Sequence, residues 1–242
     1  MKIGVKIFPK SREHILKLAG MAKIDFIEVM AVQGEDYGFV EELGLPVNIH
    51  CEHYGFGINL ADNQKAEKNK AAVDFALQLA DRFDSDFVVV HPGVKIDECS
   101  IDKTISFLKQ FKDRRLLVEN MCLISGLDNK TKFIGTTPKE IEKVMTSANM
   151  GLCLDFGHAN ERAYNLGVDG LEFIKQFMQL KPAYFHISDN NGVSDFHSNL
   201  GEGTMDIEAL KRLIESTGNK QITIETNLIL EKQINDIRIL RE

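Results

Sequence analysis

Cysteine is scarce in the sequence, and long apolar runs are missing. The four cysteines among 242 residues, Cys51, Cys99, Cys122 and Cys153, form no CxxC pair, which argues against a disulfide framework or a dithiol redox motif. Small apolar filler in a reducing compartment is their expected role. No stretch reaches the ~20 apolar residues that cross a bilayer, and Met1-Lys2-Ile3 leads directly into a strand pattern rather than a signal peptide. We therefore expect a soluble, cytoplasmic protein without membrane contact.

Basic residues are also fewer than acidic residues. Lys and Arg number 29 against 36 Asp and Glu, which gives a net charge of −7 and disfavours a broad nucleic-acid-binding surface. No linker, low-complexity tract or sharp change of charge divides the chain, and 43% of the residues are hydrophobic. A single domain over residues 1–242 with a large buried core is therefore predicted.

Short β-branched or apolar runs alternate with amphipathic stretches along the whole chain. Strands are predicted at Lys2–Phe8, Phe26–Ala31, Val47–His53, Phe87–Gly93, Leu116–Asn120, Gly151–His158, Ala183–Asp189 and Gln221–Asn227. Helices are predicted near Ser11–Ala22, Tyr37–Leu43, Gln64–Phe83, Ile101–Lys112, Pro138–Ser147, Val168–Leu180, Ile207–Thr217 and from Leu230 to the C-terminus. This alternation with short connections predicts a (β/α)₈ TIM barrel, and a doubly wound open sheet is the alternative.

Acidic and imidazole side chains concentrate where the predicted strands end. They are His50, His53, His91, Glu119, Asp155, His158, His186 and Glu225, with Asp195 and His197 in the loop after the seventh strand. Only His14, on the first helix, stands apart from the other histidines. In a barrel these strand ends converge on the face that carries active sites. Because imidazole and carboxylate groups bind zinc, manganese and related ions, a divalent-metal site is predicted there.

Glu28, on the second predicted strand, is ambiguous. Its side chain could point into the same site, but an exposed acid at the end of a strand is an equal or better interpretation.

Several short motifs resemble the xylose-isomerase-like TIM-barrel superfamily. They are HPG at 91–93, EN at 119–120, DxxH at 155–158, HxxD at 186–189, DxH at 195–197, GEG at 201–203 and ET at 225–226. The resemblance extends from about His53 to Thr226. This superfamily contains the endonuclease IV family of abasic-site nucleases and many sugar or sugar-phosphate isomerases and epimerases. The resemblance implies a metal-dependent enzyme with one to three zinc or manganese ions.

The resemblance implies two alternative chemistries. In the isomerase and epimerase branch, one ion is held by four residues, Glu119, Asp155, His186 and Glu225. The two glutamates then move a proton through an enediolate, and His158 contacts the substrate. In the nuclease branch the same four residues belong to a trinuclear zinc cluster, which is completed by His91 with His53 or His50, and by His158, Asp195 and His197. The spacing to Asn59 fits the nuclease pattern better for His53, and both histidines stay open as the ligand.

The loops decide our preference between these branches. A nuclease must grip and bend a duplex with basic and wedge side chains. The loop after strand two, 32–37, is short and acidic, the loop 121–135 carries only Lys130 and Lys132, and no Lys or Arg occurs between His186 and Gly201. The last absence also weighs against a sugar phosphate, because epimerases of this type usually place an arginine there.

We therefore expect a metal-dependent sugar or sugar-phosphate isomerase or epimerase, with a small-molecule substrate favoured over DNA. An abasic-site endonuclease is the alternative, and a metal-stabilised barrel that binds a metabolite or partner without turnover is a third interpretation. The sequence predicts neither the particular substrate nor the oligomeric state.

Overall fold

Eight parallel strands close into a barrel in the computed structural model, which describes residues 1–218 and 220–242. The strands are β1 Lys2–Ile7, β2 Phe26–Ala31, β3 Val47–Cys51, β4 Val88–Val90, β5 Leu116–Glu119, β6 Gly151–Asp155, β7 Tyr184–Ile187 and β8 Gln221–Ile224. Each strand pairs with its sequence neighbours, and β8 pairs back to β1 with Lys2 opposite Gln221. The barrel prediction is confirmed, and the open-sheet alternative is wrong.

Helices surround the barrel. They are α1 Arg12–Met21, α2 Gly38–Glu42, α3 Ala66–Arg82, α4 Ile101–Leu108, α5 Pro138–Ala148, α6 Phe156–Leu166, α7 Gly170–Met178, α8 Ile207–Glu215 and α9 Leu230–Arg241. Their apolar faces pack on the outward side chains of the strands; in α8, for example, Ile207, Leu210 and Ile214 are buried at helical spacing. Across the described residues, no helix is both long enough and apolar enough to cross a membrane.

The predicted end of the sixth strand is wrong. The strand ends at Asp155, and Phe156 begins α6, a helix that the sequence pattern did not predict. The Asp155 side chain accepts a hydrogen bond from the backbone N–H of His158 at 2.7 Å, which makes Asp155 the N-cap of α6. His158 therefore lies in the first turn of a helix rather than on a strand. Gly167, in the left-handed region at φ 68°, ends the helix.

Two loops fold over the C-terminal end of the barrel. The loop between β5 and α5 contains an antiparallel bridge from Ile124 to Lys132, and a second bridge joins its Phe133 to Val94 in the loop after β4. The loop between β7 and α8 is organised by Asp189, a buried carboxylate that accepts four backbone N–H groups. These come from Asn190, Gly201, Gly203 and Met205, at 2.9 to 3.2 Å. Both loops thus have a defined conformation above the strand ends.

Candidate active site and metal centre

Strand alternation explains why the candidate residues meet inside the barrel. Side chains two positions apart on a strand share a face. An apolar layer of Phe26, Val89, Leu117, Cys153 and Tyr184 fills the barrel interior. Two residues further along the same strands come Glu28, His91, Glu119, Asp155 and His186. The apolar layer is therefore the floor of the site, and the ionisable layer stands directly on it.

Glu119 is the centre of this layer. Its side chain is fully buried and its two oxygens contact four imidazoles. These are His50 at 3.3 Å, His91 at 2.9 Å, His158 at 3.3 Å and His186 at 3.3 Å. Burial alone would raise the pKa of Glu119, but electrostatic attraction to the surrounding imidazoles, together with hydrogen bonds from His158 and His186, outweighs burial and holds the pKa well below its usual value. The carboxylate is therefore ionised at neutral pH.

His186 joins Glu119 to two further carboxylates. Its Nε2 lies 2.8 Å from Glu28 Oε2, and its Nδ1 lies 2.8 Å from Glu225 Oε1. The interpretation of Glu28 as an exposed acid is wrong, because its side chain is completely buried. Glu225 also receives a hydrogen bond from the Lys6 ammonium at 2.7 Å. Lys6 on β1, which sequence reasoning missed, is therefore part of the site.

A second group of side chains lies between α6 and the loop after β7. Asp195 Oδ2 contacts His158 Nε2 at 3.3 Å and His197 Nε2 at 3.1 Å. The Nδ1 atoms of these imidazoles lie 2.9 Å from the Asn120 carbonyl and 2.8 Å from the Glu225 carbonyl, respectively. A carbonyl oxygen only accepts, so each Nδ1 carries a proton and each Nε2 is the atom directed at Asp195, where a metal ion would be bound.

Both histidines proposed for the third strand lie close to the site. His50 is fully buried, with Nδ1 2.8 Å from the Cys51 carbonyl and Nε2 facing Glu119. His53 follows the strand, and its ring stacks on His91 at 4.8 Å between centroids. One donor atom each from His50, His91 and Glu119 lies within 4.8 Å of the others. His53 is the more accessible of the two, since it lines the cavity described below.

The donor set fits a divalent cation. Among the described side chains, the site contains five carboxyl groups but only one lysine, Lys6. The carboxyl groups are those of Glu28, Glu119, Asp155, Asp195 and Glu225. Within residues 1–218 and 220–242, the buried atoms Asp155 Oδ2, Asp195 Oδ1 and Glu28 Oε1 have no hydrogen-bond partner. Buried carboxylate oxygens are normally paired or coordinated. One donor atom each from Glu119, Asp155 and His186 lies within 4.8 Å of the others, and the same holds for Glu28, His50, His186 and Glu225.

The pKa shifts in the site follow from burial and from the neighbouring charges. Burial lowers the pKa of His91 to about 4 despite the neighbouring Glu119, so this imidazole is neutral and keeps a lone pair. Burial also opposes the charging of His197, but Asp195 outweighs it and raises the pKa of His197 to about 9. Burial raises the pKa of Asp155. Positive charge is therefore favoured beside Asp195, and the negative charge of Asp155 is unfavourable without a cation.

The site opens into a cavity of about 280 Å³. Its polar wall is formed by Lys6, His53, His91, His158, Asp195, His197 and Glu225, and its apolar wall includes Met121, Leu127, Phe133 and Phe196. Glu119 and Asp155 lie beneath these side chains. The cavity therefore presents Glu225 and several imidazoles to a ligand, while the buried carboxylates support them from below.

Comparison with known proteins identifies the family. The sequence profile described as "xylose isomerase-like TIM barrel" matches residues 37–242. The chain belongs to this family. Members of the family include epimerases, isomerases and endonuclease IV, and family members bind divalent metals such as zinc.

The individual relatives do not show which activity this chain has. An uncharacterized protein of Methanocaldococcus jannaschii is 31% identical over 182 residues, which are 69% of this chain and 59% of that protein. A D-tagatose 3-epimerase-like protein superimposes with a TM-score of 0.79 at 24% identity, covering 100% of this chain and 96% of the other. Endonuclease IV from Thermus thermophilus gives a TM-score of 0.72 at 21% identity, covering 100% of this chain and 98% of the other. At these identities the two structures show a shared fold.

Proposed function

We propose that the chain is a divalent-metal-dependent isomerase or epimerase that acts on a sugar or sugar phosphate. The observation that carries this proposal is the cavity of about 280 Å³ above the glutamate layer. It lies just below the ~300 to 1,000 Å³ of typical small-ligand sites, so it suits one small molecule.

The loops around the cavity support a small substrate. The two loops touch: a Cβ added to Gly126 would lie 2.5 Å from the Asp195 carbonyl oxygen, and Ser194 Oγ lies 3.5 Å from Asn129 Oδ1. Of the described residues, Lys6 is the one lysine or arginine that lines the cavity. Leu127 and Phe196 on the rim are apolar and exposed. A duplex requires several cations around such a rim, whereas a single sugar can be enclosed by apolar and polar walls.

The positions of the two glutamates support a role in proton transfer. His186 Nδ1 lies 2.8 Å from Glu225 Oε1 and 3.3 Å from Glu119 Oε1, so both carboxylates contact the same nitrogen atom. Glu225 lines the cavity, and the Lys6 ammonium 2.7 Å away favours its ionised form. Glu225, on the cavity wall, would accept a proton from a substrate carbon. Glu119, buried directly beneath that wall, is the second glutamate that we propose for returning it. General acid–base transfer of this kind contributes ~10² to 10⁴-fold to a rate.

The residues that would hold the ion for this reaction are Glu119, Asp155, His186 and Glu225. A divalent ion held there would polarise a ketose carbonyl and so acidify the neighbouring carbon. Lys6, His158 and His197 remain on the cavity wall for contacts to substrate hydroxyl groups. On this basis we assign His158 to substrate contact.

An abasic-site endonuclease is the second candidate, and one observation favours it. Asp195 lies between His158 and His197, with Nε2 of both rings 3.1 to 3.3 Å from Oδ2. A single-ion isomerase does not need these three donors together. In a nuclease they would hold a further zinc ion, and His91 with His53 or His50 would complete the first site.

His197→Ala distinguishes the two candidates. The assays are incorporation of solvent deuterium into a panel of ketoses and ketose phosphates, and cleavage of a duplex that contains an abasic-site analogue. We expect metal-dependent exchange with at least one ketose, only a moderate loss in His197→Ala, and little or no duplex cleavage. His14→Ala is the matched control, because His14 bonds Gln233 outside the site. Efficient metal-dependent incision that His197→Ala abolishes would establish the nuclease instead.

A further inference from the structure

Cys122 brings a thiol to the edge of the metal centre. It lies three residues after Glu119, at the start of the loop that follows β5, and it is buried. One donor atom each from Cys122, His158 and Asp195 lies within 4.8 Å of the others. In the metal-free chain the thiol donates a hydrogen bond to the Ile124 carbonyl at 3.3 Å. A metal ion would replace this hydrogen, because the thiolate is the form of cysteine that binds metals. Sulfur, imidazole nitrogen and carboxylate oxygen are the three ligand types of protein-bound zinc.

Asp195 gives an independent indication that this cluster holds a cation. Its side chain is only 7% exposed, and its Oδ1 is buried without a hydrogen-bond partner in the described part of the chain. A carboxylate oxygen in that position is unfavourable unless it is paired or coordinates an ion. His158 is already oriented for the same purpose, because its Nδ1–H is directed at the Asn120 carbonyl at 2.9 Å.

We propose that Cys122 provides a sulfur ligand for zinc or another thiophilic divalent ion at the position between His158 and Asp195 described above. Three protein ligands leave a fourth position for water or substrate, as in catalytic rather than structural zinc sites. In this proposal Cys122 is a metal ligand rather than the apolar filler expected from the sequence. None of the family motifs in the sequence includes Cys122, so this ligand is a property of the chain itself.

The thiolate makes this site chemically different from the neighbouring one. Glu119, Asp155, His186 and Glu225 offer only oxygen and nitrogen, which suit manganese as well as zinc. A sulfur ligand selects zinc and similar borderline or soft ions over manganese. The proposal rests on the divalent-metal binding of the proposed function. An ion bound to Cys122 would also occupy His158 Nε2, so His158 would then act on a substrate through that ion rather than by direct contact.

Cobalt(II) substitution tests this ligand directly. A cobalt–thiolate bond produces an intense near-ultraviolet charge-transfer absorption that oxygen and nitrogen ligands do not produce. Full-length protein, treated with chelator and titrated with Co²⁺, should develop this band. Cys122→Ser should lose the band while it still binds cobalt at the oxygen-rich site, and its zinc affinity at one site should fall at least about tenfold. Cys153→Ser is the matched control, since Cys153 is buried in the barrel interior and its substitution should leave the band intact.

Each outcome decides the assignment. A protein that binds cobalt without a charge-transfer band overturns it, and so does an unchanged band in Cys122→Ser. If Cys122→Ser fails to fold, the wild-type spectrum and the Cys153→Ser spectrum still give the answer. Cobalt binding and ketose exchange without the band would overturn only the Cys122 site, whereas a protein that binds no divalent ion would overturn the proposed function as well.

Discussion

Asp155→Asn separates the folding role of Asp155 from its proposed metal-binding role. Asp155 Oδ1 caps α6 through the His158 N–H at 2.7 Å, while Oδ2 has no hydrogen-bond partner in the described structure. Asparagine is as good an N-cap as aspartate, so the helix keeps its cap. The backbone bonds of residue 155 to the Asn120 side chain, at 2.7 and 2.9 Å, are also unaffected. Burial raises the pKa of Asp155, which means that its charge opposes the metal-free fold. We therefore expect the metal-free variant to match the wild type within about 1 kcal/mol.

In the presence of metal, by contrast, the stabilities of the wild type and the variant should differ. An ion at 100 times its dissociation constant stabilises the native state by about 2.7 kcal/mol, which for a chain of this size raises Tm by roughly 5–10 °C. If the loss of one carboxylate ligand weakens binding about 100-fold, the same ion concentration stabilises the variant by only about 0.4 kcal/mol. The expected rise in Tm is then roughly 1–2 °C.

Manganese is the appropriate ion for this measurement, because the oxygen-rich site around Asp155 accepts it while a thiolate site does not favour it. Thermal unfolding is followed for wild type and Asp155→Asn in chelator and across a Mn²⁺ titration. An equal manganese-dependent rise in both proteins would refute the placement of Asp155 as a ligand. A metal-free Asp155→Asn that melts many degrees below the wild type would show instead that the carboxylate serves the fold.

Five other variants probe the acid–base pair, the loop anchor and the cavity wall. Glu119→Gln and Glu225→Gln should each retain the barrel by circular dichroism and lose ~10² to 10⁴-fold in ketose deuterium exchange, since an amide cannot accept the proton; near-normal exchange would mean that the site is misplaced. Asp189→Ala should lower the unfolding free energy in urea by roughly 2–5 kcal/mol, because four backbone N–H groups lose their acceptor, and Asp189→Asn should lose less. Phe196→Ala should raise KM about three- to tenfold with little change in kcat, since Phe196 only walls the cavity; a matching fall in kcat would contradict that role.

The barrel and most of the site were accessible from the sequence because they depend on strand periodicity. Residues such as Glu119 and His186 end short apolar runs, and the barrel topology brings all such ends to one face. The prediction needed only the existence of the strands, not their exact bounds. The exact bound did matter at Asp155, where the sequence pattern continued the strand to His158 although a helix begins at Phe156. A strand that runs directly into an N-capped helix leaves no turn signal between the two elements.

Lys6 and Glu28 could not be placed from the sequence because their direction depends on tertiary packing. Every residue of β2 is buried, so burial alone does not show which of its side chains face inward. The direction is fixed by the fit of Phe26 against β1: a Cβ on Gly4 would lie 2.3 Å from the Phe26 ring. With Gly4 and Phe26 facing the interior, Lys6 and Glu28, two positions further, must also face inward. Only the packed barrel contains that information.

The same geometry explains why two reactions compete for one set of residues. The strand ends fix the ionisable layer to the apolar floor of Phe26, Val89, Leu117, Cys153 and Tyr184, so this layer depends little on the loops above. The loops alone determine what reaches it, and loops vary more freely than the strands that support them. Here they bring Leu127 and Phe196 to the rim, with Lys6 as the one lysine or arginine among the described cavity-lining residues. The proposed isomerase function therefore rests on the entrance rather than on the ligand set, since the same ligand set also fits the proposed alternative.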